Sequence, residues 1–184
     1  MVGRYFDKNS NFLLTKIIYT DIFYQVSMEL KNQHRLKDKE VKKYSEELKE
    51  KLGDSLFNLE EPVDIADTDE GEVVIVNNEL VATFFDGEIF PTIKGLLTMN
   101  STKKFVTVDM GAVEFVYNGA DIMAPGIVNA DENIMKGEMV WIREVEHKKP
   151  LAVGRALTNG KEMIESEEGK VVKNLHHIGD GKFD

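Results

Sequence analysis

The chain has 184 residues, a length that can bury one medium or two small hydrophobic cores. It contains no cysteine, which excludes disulfides, thiolate metal sites and cysteine nucleophiles. Its formal net charge of −10 argues against a protein that coats nucleic acid by counterion release alone, but allows one that binds a folded RNA through a local basic patch.

Residues 1–27 are rich in aromatic and β-branched side chains and show little amphipathic regularity. Two interpretations stay open: an extra N-terminal strand or helix, or a start-site artefact with Met28 as the true start. Charged residues interrupt the apolar positions and no small-residue cleavage site follows, so we do not expect a signal peptide. No apolar run approaches the ~20 residues that a membrane span needs. We therefore expect a cytoplasmic protein without a membrane segment.

A helix is predicted over Asp38–Leu52, where apolar residues recur at spacings of three and four. Asp38 is the predicted N-cap, and Gly53 stands where a helix end favours a left-handed residue. Glu47 and Lys51 have the spacing of an ion pair on one helix face. Residues 61–72 are predicted to be an acidic loop because they contain a proline and a glycine.

Residues 72–76 and 79–85 are β-rich runs joined by Asn77-Asn78, which predicts a tight hairpin because asparagine tolerates the left-handed conformation. A short helix is predicted over residues 92–99. Together these elements predict a small antiparallel sheet covered by helices.

From Phe105 onward, short apolar runs alternate with glycine-containing turns, a pattern typical of a small β-barrel. Short helices are predicted at residues 111–118 and 160–166. The predicted strands are residues 105–109, 122–128, 139–145, 151–156 and 171–177.

Catalytic motifs are missing from the sequence. The four histidines are not spaced as a metal pair on a helix, and neither a phosphate-binding glycine-rich loop nor a G-x-S-x-G motif occurs. We therefore expect no enzymatic activity, no cofactor and no metal.

Residues 119–127 are the candidate binding surface. The small residues Gly119 and Ala120 would let a partner's backbone approach closely, and Pro125-Gly126 would expose main-chain groups at a strand edge. Such groups can contact phosphates or 2′-hydroxyls without adding charge. The alternative is a tight helix–strand corner with a purely structural role.

The motifs after residue 104 resemble those of PUA domains. That family's signature is a hydrophobic strand, Asp-x-Gly-Ala, a short helix and Gly-Ala-Asp-Ile/Val-Met-x-Pro-Gly-Ile, which residues 108–112 and 119–127 resemble. Glu138 replaces the family's usual Asp, and Phe183 lies near its usual Trp. Later in the chain, residues 137–145, 151–156, 169–172 and 176–180 resemble further motif blocks of the family, in the same order.

The first half resembles the pre-PUA domain. The similarity rests on residues 28–36, the Asn77-Asn78 hairpin and residues 90–93. This module precedes PUA in the malignant-T-cell-amplified-sequence proteins and in the N-terminal part of ligatin-type translation factors. The resemblance implies an α+β fold, with an extra segment over residues 1–27. Residues 28–103 would form a pre-PUA domain with a small antiparallel sheet and helices, and residues 104–184 a PUA pseudo-barrel of short, mostly antiparallel strands.

The resemblance implies an RNA-binding protein of the translation apparatus that contacts tRNA or small-subunit ribosomal RNA. The family's translation factors carry an initiation-factor-like domain or work with a partner that has one, so the resemblance implies that this chain acts alone or with a separate initiation-factor-like protein. Two alternatives stay open: an RNA-targeting subunit of a modification complex, and a protein-interaction adaptor. The adaptor is motivated by residues 104–184, where 14 acidic side chains outnumber 10 basic ones.

Carried onto this sequence, the resemblance places the RNA groove beside the short helix. The implied contacts are Gly119, Ala120, Asp121, Met123, Ala124, Pro125, Gly126, Ile127, Arg155, Lys170, Lys173 and His177. A basic run in the first half is a possible second RNA contact, or else a solvated face. It consists of Lys31, His34, Arg35 and Lys37.

Overall fold

The computed structural model describes residues 28–183, and both interpretations of residues 1–27 lie outside the described residues. The first part of the described chain is an antiparallel sheet with the strand order β1-β2-β3-β4-β5. Its strands are β1 (Lys31–Arg35), β2 (Val63–Thr68), β3 (Gly71–Val76), β4 (Glu79–Phe85) and β5 (Glu88–Pro91). The predicted hairpin is confirmed, because β3 and β4 pair across Asn77 and Asn78, whose φ angles are 51° and 66°.

Helix α1 (Asp38–Leu52) has the predicted bounds and buries Val41, Leu48 and Leu52 on the sheet. It ends at Gly53 with φ 88°, and Lys51 Nζ lies 2.7 Å from Glu47 Oε1, as predicted. The predicted N-cap is wrong. Lys37 occupies that position, and its backbone N–H donates to the Glu40 carboxylate. A second, short helix, α2 (Ile93–Thr98), follows β5.

The second part is a six-stranded sheet with the order β7-β11-β10-β9-β6-β8. Its strands are β6 (Phe105–Val108), β7 (Ile122–Met123), β8 (Ile127–Ala130), β9 (Met139–Glu144), β10 (Pro150–Ala156) and β11 (Lys170–His177). All neighbouring strands are antiparallel except β6 and β9. The edge strands β7 and β8 are joined by the 3₁₀ turn Ala124–Gly126, so the sheet almost closes into a barrel. The predicted α+β fold with a barrel-like C-terminal part is confirmed.

Two short helices accompany the barrel: α3 (Met110–Tyr117) and α4 (Gly160–Glu165). The barrel encloses its own core, in which Val106, Ile142, Ala152 and Met163 are fully buried. Apolar residues on the outer face of the barrel belong instead to a second core, which the first sheet and its helices form. Trp141 and Val153 pack with the apolar residues of the first sheet, so the two sheets are in direct contact.

Two sequence-based expectations about strands are wrong. Residues 61–72 are not a loop, since β2 lies within them and buries Val63 and Ile65 while its acidic residues stay partly exposed. The continuous extended run over residues 122–128 is interrupted by the 3₁₀ turn. Strand β1 was not anticipated, because all five of its residues are exposed and carry no apolar alternation.

Candidate nucleic-acid interface

Helix α3 lies at one end of the barrel and is fixed at both of its ends. At the first end, the Asp109 carboxylate accepts the Ala112 N–H at 2.8 Å, and the Asp109 N–H donates to Gly126 O at 2.9 Å. At the other end, Gly119 has φ 81°. A Cβ on Gly119 would lie 2.9 Å from His177 Nε2, so the turn requires glycine both for its backbone angle and for space.

A groove of about 360 Å³ separates α3 from the segment that contains β7 and the 3₁₀ turn. Its lining is mostly apolar. Phe115 on the α3 side is 68% exposed, and Met123 on the β7 side is 45% exposed. Two large exposed apolar side chains on the two sides of one groove form an apolar patch, a feature that is common at binding sites.

Asp121 supplies the charge at the groove edge. Its carboxylate accepts the Asn174 N–H and a hydrogen bond from Lys170 Nζ, both at 3.0 Å. The hydrogen bond from Lys170, helped by that from the Asn174 backbone, lowers the pKa of Asp121. Lys170 therefore lies near the groove, but a carboxylate already pairs with it.

The main-chain groups of residues 119–127 are largely used inside the fold. The Ala120 N–H donates to Phe115 O, the Ala124 N–H to Gly169 O, and Ala120 O accepts from Asn174 Nδ2. Ala124 is buried, while Met123 and Pro125 are exposed. What this segment offers a ligand is therefore mainly side-chain surface. The RNA-binding role of its residues stays a prediction.

The remaining predicted contacts of the barrel fall in two places: Arg155 and Lys173 are opposite each other on β10 and β11, and His177 lies further along β11. His177 packs against Gly119, and its Nδ1 lies 3.1 Å from Ile178 O. Lys173 is exposed on β11. Arg155 lies between the two sheets rather than beside the groove, with Nη2 2.9 Å from Asp86 Oδ2.

Two members of the basic run of the first half, Lys31 and Arg35, contact carboxylates on or directly after the neighbouring strand β2. Arg35 Nε contacts Asp64, whose pKa the hydrogen bond lowers. Lys31 Nζ lies 3.3 Å from Asp69 Oδ1. His34 Nδ1 lies 2.8 Å from Asn32 O, and Lys37 is exposed at the start of α1. Its role as a second RNA contact stays a prediction.

Sequence reasoning missed Phe115. In α3, Val116 is buried and Val113 and Tyr117 are partly buried, whereas Phe115 lies outside this stripe and is exposed. A large aromatic residue off the buried stripe of a short helix was the available signal. Within residues 28–183, no cluster of three or more acidic or histidine side chains could hold a metal ion, and no helix has the length and hydrophobicity needed to cross a membrane.

Comparisons with known proteins divide the chain in the same order as its two sheets. The PUA domain model matches residues 104–178, and the model of a domain of unknown function, DUF1947, matches residues 32–99. An uncharacterized protein of Methanocaldococcus jannaschii is 46% identical over 156 residues, which cover 83% of this chain and 96% of that protein.

Two further similarities concern translation and fold. Translation machinery-associated protein 20 of Schizosaccharomyces pombe is 32% identical over 114 residues, 60% of each chain. A conserved PUA domain protein from Thermoplasma acidophilum has a similar structure, with a TM-score of 0.72 and 27% identity over 83% of this chain and 97% of that chain. Malignant-T-cell-amplified-sequence proteins also match, which confirms the resemblance found in the sequence.

Proposed function

The chain belongs to the PUA-domain proteins in which a DUF1947 region precedes the PUA domain, and from this premise we propose that it is a non-enzymatic RNA-binding protein of the translation apparatus. It contacts tRNA, small-subunit ribosomal RNA or both through the groove beside α3, and it works in the cytoplasm without a cofactor.

The observation that carries this proposal is Phe115 at the groove. Phe115 is 68% exposed on a helix whose two ends are fixed, so the backbone that carries its ring is already ordered before a ligand arrives. An aromatic ring in this position can stack on an unpaired base, which contributes about 1–3 kcal/mol per base. Stacking also suits an acidic chain, because it requires few cations.

The translation context comes from a relative. The fission yeast protein bears the name translation machinery-associated protein 20, and this chain spans 60% of that protein's length. An activity in initiation or recycling and an initiation-factor-like protein partner extend the proposal. A tagged full-length chain should co-purify such a partner, and retain it when ribonuclease removes the RNA.

Direct binding tests the proposal. The full chain should bind a labelled tRNA transcript or co-sediment with small ribosomal subunits at low salt. Phe115→Ala should weaken that binding about tenfold or more. Leu97→Ala is the matched control, because Leu97 is a 55% exposed apolar residue on α2, far along the chain from the groove. Absence of binding to either RNA by the unmodified protein would refute the proposal.

A further inference from the structure

The turn between β9 and β10, residues 145–149, lies at the same end of the barrel as α3. The parallel ladder places Glu144 beside Val108, and the next ladder places Val108 beside Ile127. Adjacent strands are about 5 Å apart, so the start of the turn is roughly 10 Å from Ile127, the residue that follows the groove's Pro125 and Gly126.

Glu144 fixes the shape of this turn. Its side chain is nearly buried, at 6% exposed. The carboxylate accepts backbone N–H groups from Glu146 at 2.5 Å, and from His147 and Lys149 at 2.8 Å. These donors occupy both carboxylate oxygens. The acid therefore orders the backbone of the turn, and it pairs with neither lysine that the turn presents.

Lys148 and Lys149 are exposed, and neither has an ion-pair partner within residues 28–183. Four of the eight other lysines and arginines after residue 103 differ in this respect. Carboxylates pair with Lys104, Arg155, Lys161 and Lys170.

Lys148 also has φ 58°, a left-handed angle that glycine or asparagine would adopt more readily. Lys104 has a similar φ of 55°, but its ammonium group is tied to Glu138 and to Asn133 O. The ammonium group of Lys148 has no such contact among the described residues. The turn therefore holds an unpaired cation at a backbone position that lysine seldom occupies.

We propose that this turn binds the phosphodiester backbone of the RNA that lies on α3, with Lys148 and Lys149 each contacting one phosphate. The proposal rests on the proposed function and assigns the electrostatic part of RNA binding to a site outside the groove. The groove supplies contacts to bases, and the turn supplies contacts to phosphates, which position the RNA without reading its sequence.

Salt dependence of RNA binding by the full chain tests this assignment. Lys148→Ala/Lys149→Ala should weaken tRNA binding on the order of tenfold, and should lower the slope of log affinity against log salt by about 1 to 2, because each phosphate contact contributes roughly 0.7–0.9. The matched control is Lys136→Ala/Lys161→Ala. It removes the same formal charge from two exposed positions. Both lie near the end of the barrel at which strand β8 finishes and the Asp131 N–H donates to Phe105 O.

The outcomes separate the two proposals. A lower slope for the turn variant with an unchanged slope for the control supports the assignment. Equal slopes for both variants, with Phe115→Ala still impairing binding, overturn the turn site and leave the proposed function intact. Absence of RNA binding by the unmodified chain overturns both.

Discussion

Strand β1 and the turn between β9 and β10 both carry basic residues in an acidic chain, but nearby carboxylates are used differently in the two places. Asp64 on β2 contacts Arg35, and Asp69, the residue directly after β2, contacts Lys31. In the turn, the Glu144 carboxylate accepts hydrogen bonds from three backbone N–H groups. The cations of β1 are therefore paired, while Lys148 and Lys149 have no carboxylate partner among the described residues.

A run of basic residues in a sequence therefore does not show by itself which cations are free to meet a phosphate. Lys31 and Arg35 of β1 carry the same formal charge as the two turn lysines, yet each of them contacts a carboxylate. A phosphate would compete with Asp64 and Asp69 for Arg35 and Lys31, whereas it meets the turn lysines directly. The use of each carboxylate decides which cations remain available, and the following predictions test that distinction.

The largest effect is expected at Glu144. Glu144→Ala should lower the free energy of unfolding by about 2 kcal/mol, because three partly buried N–H groups lose a charged acceptor. RNA affinity should fall as well, although both lysines remain, since the turn loses its fixed shape. Glu146→Ala is the matched control in the same turn, because its side chain is exposed. Chemical denaturation and RNA titration measure both effects, and equal stability of the two variants would contradict the role of Glu144.

The Glu144 carboxylate should also make the free energy of unfolding depend on pH in the acid range. Burial alone would raise the pKa of Glu144, but hydrogen bonds from Lys149, His147 and Glu146 hold it below its ordinary value of 4.5. Its stabilisation is therefore full above about pH 4.5 and is lost as the pH falls through the lower folded-state pKa. The stability difference between the wild type and Glu144→Gln should shrink between pH 6 and about pH 3. A constant difference over this range would refute the prediction.

A smaller effect is expected at Arg155, where pairing joins the two sheets. Arg155 contacts Asp86 of the first sheet and donates to Gly137 O at 2.8 Å. Arg155→Ala should cost about 1 kcal/mol of stability, since the pair is partly solvated. RNA affinity should change less than twofold. Lys173→Ala, at the neighbouring position of β11, is the control for charge loss. A tenfold loss of RNA affinity for Arg155→Ala alone would restore the sequence-based assignment.

The sequence predicted the elements whose signals are local. Helix α1 follows from apolar spacing over Asp38–Leu52, and the hairpin of β3 and β4 follows from Asn77-Asn78. Strand β2 was missed because its acidic residues and flanking turn residues resemble a loop. The barrel strands were found, but closure through the 3₁₀ turn depends on pairing between distant segments.

The site was less predictable than the fold, because ion pairing depends on strand register. Arg35 and Asp64 are 29 positions apart and meet only because β1 pairs with β2 in one register. Arg155 likewise finds Asp86 across 69 positions. A sequence contains the charges but does not state which of them face each other, so it could not distinguish paired cations from unpaired ones.

The smallest effect on RNA affinity is expected from removing the cations of β1. This measurement tests whether paired cations on β1 and unpaired lysines in the turn contribute differently to RNA binding. Lys31→Ala/Arg35→Ala should change tRNA affinity less than about twofold and leave its salt slope unchanged, because no phosphate contact is lost. The comparison variant is Lys148→Ala/Lys149→Ala, which removes the same formal charge. If the β1 variant lowers the slope by about 1 or more, then phosphates do replace Asp64 and Asp69 on RNA binding. In that case, a cation that pairs with a carboxylate in the free protein would still be able to bind a phosphate in the RNA complex.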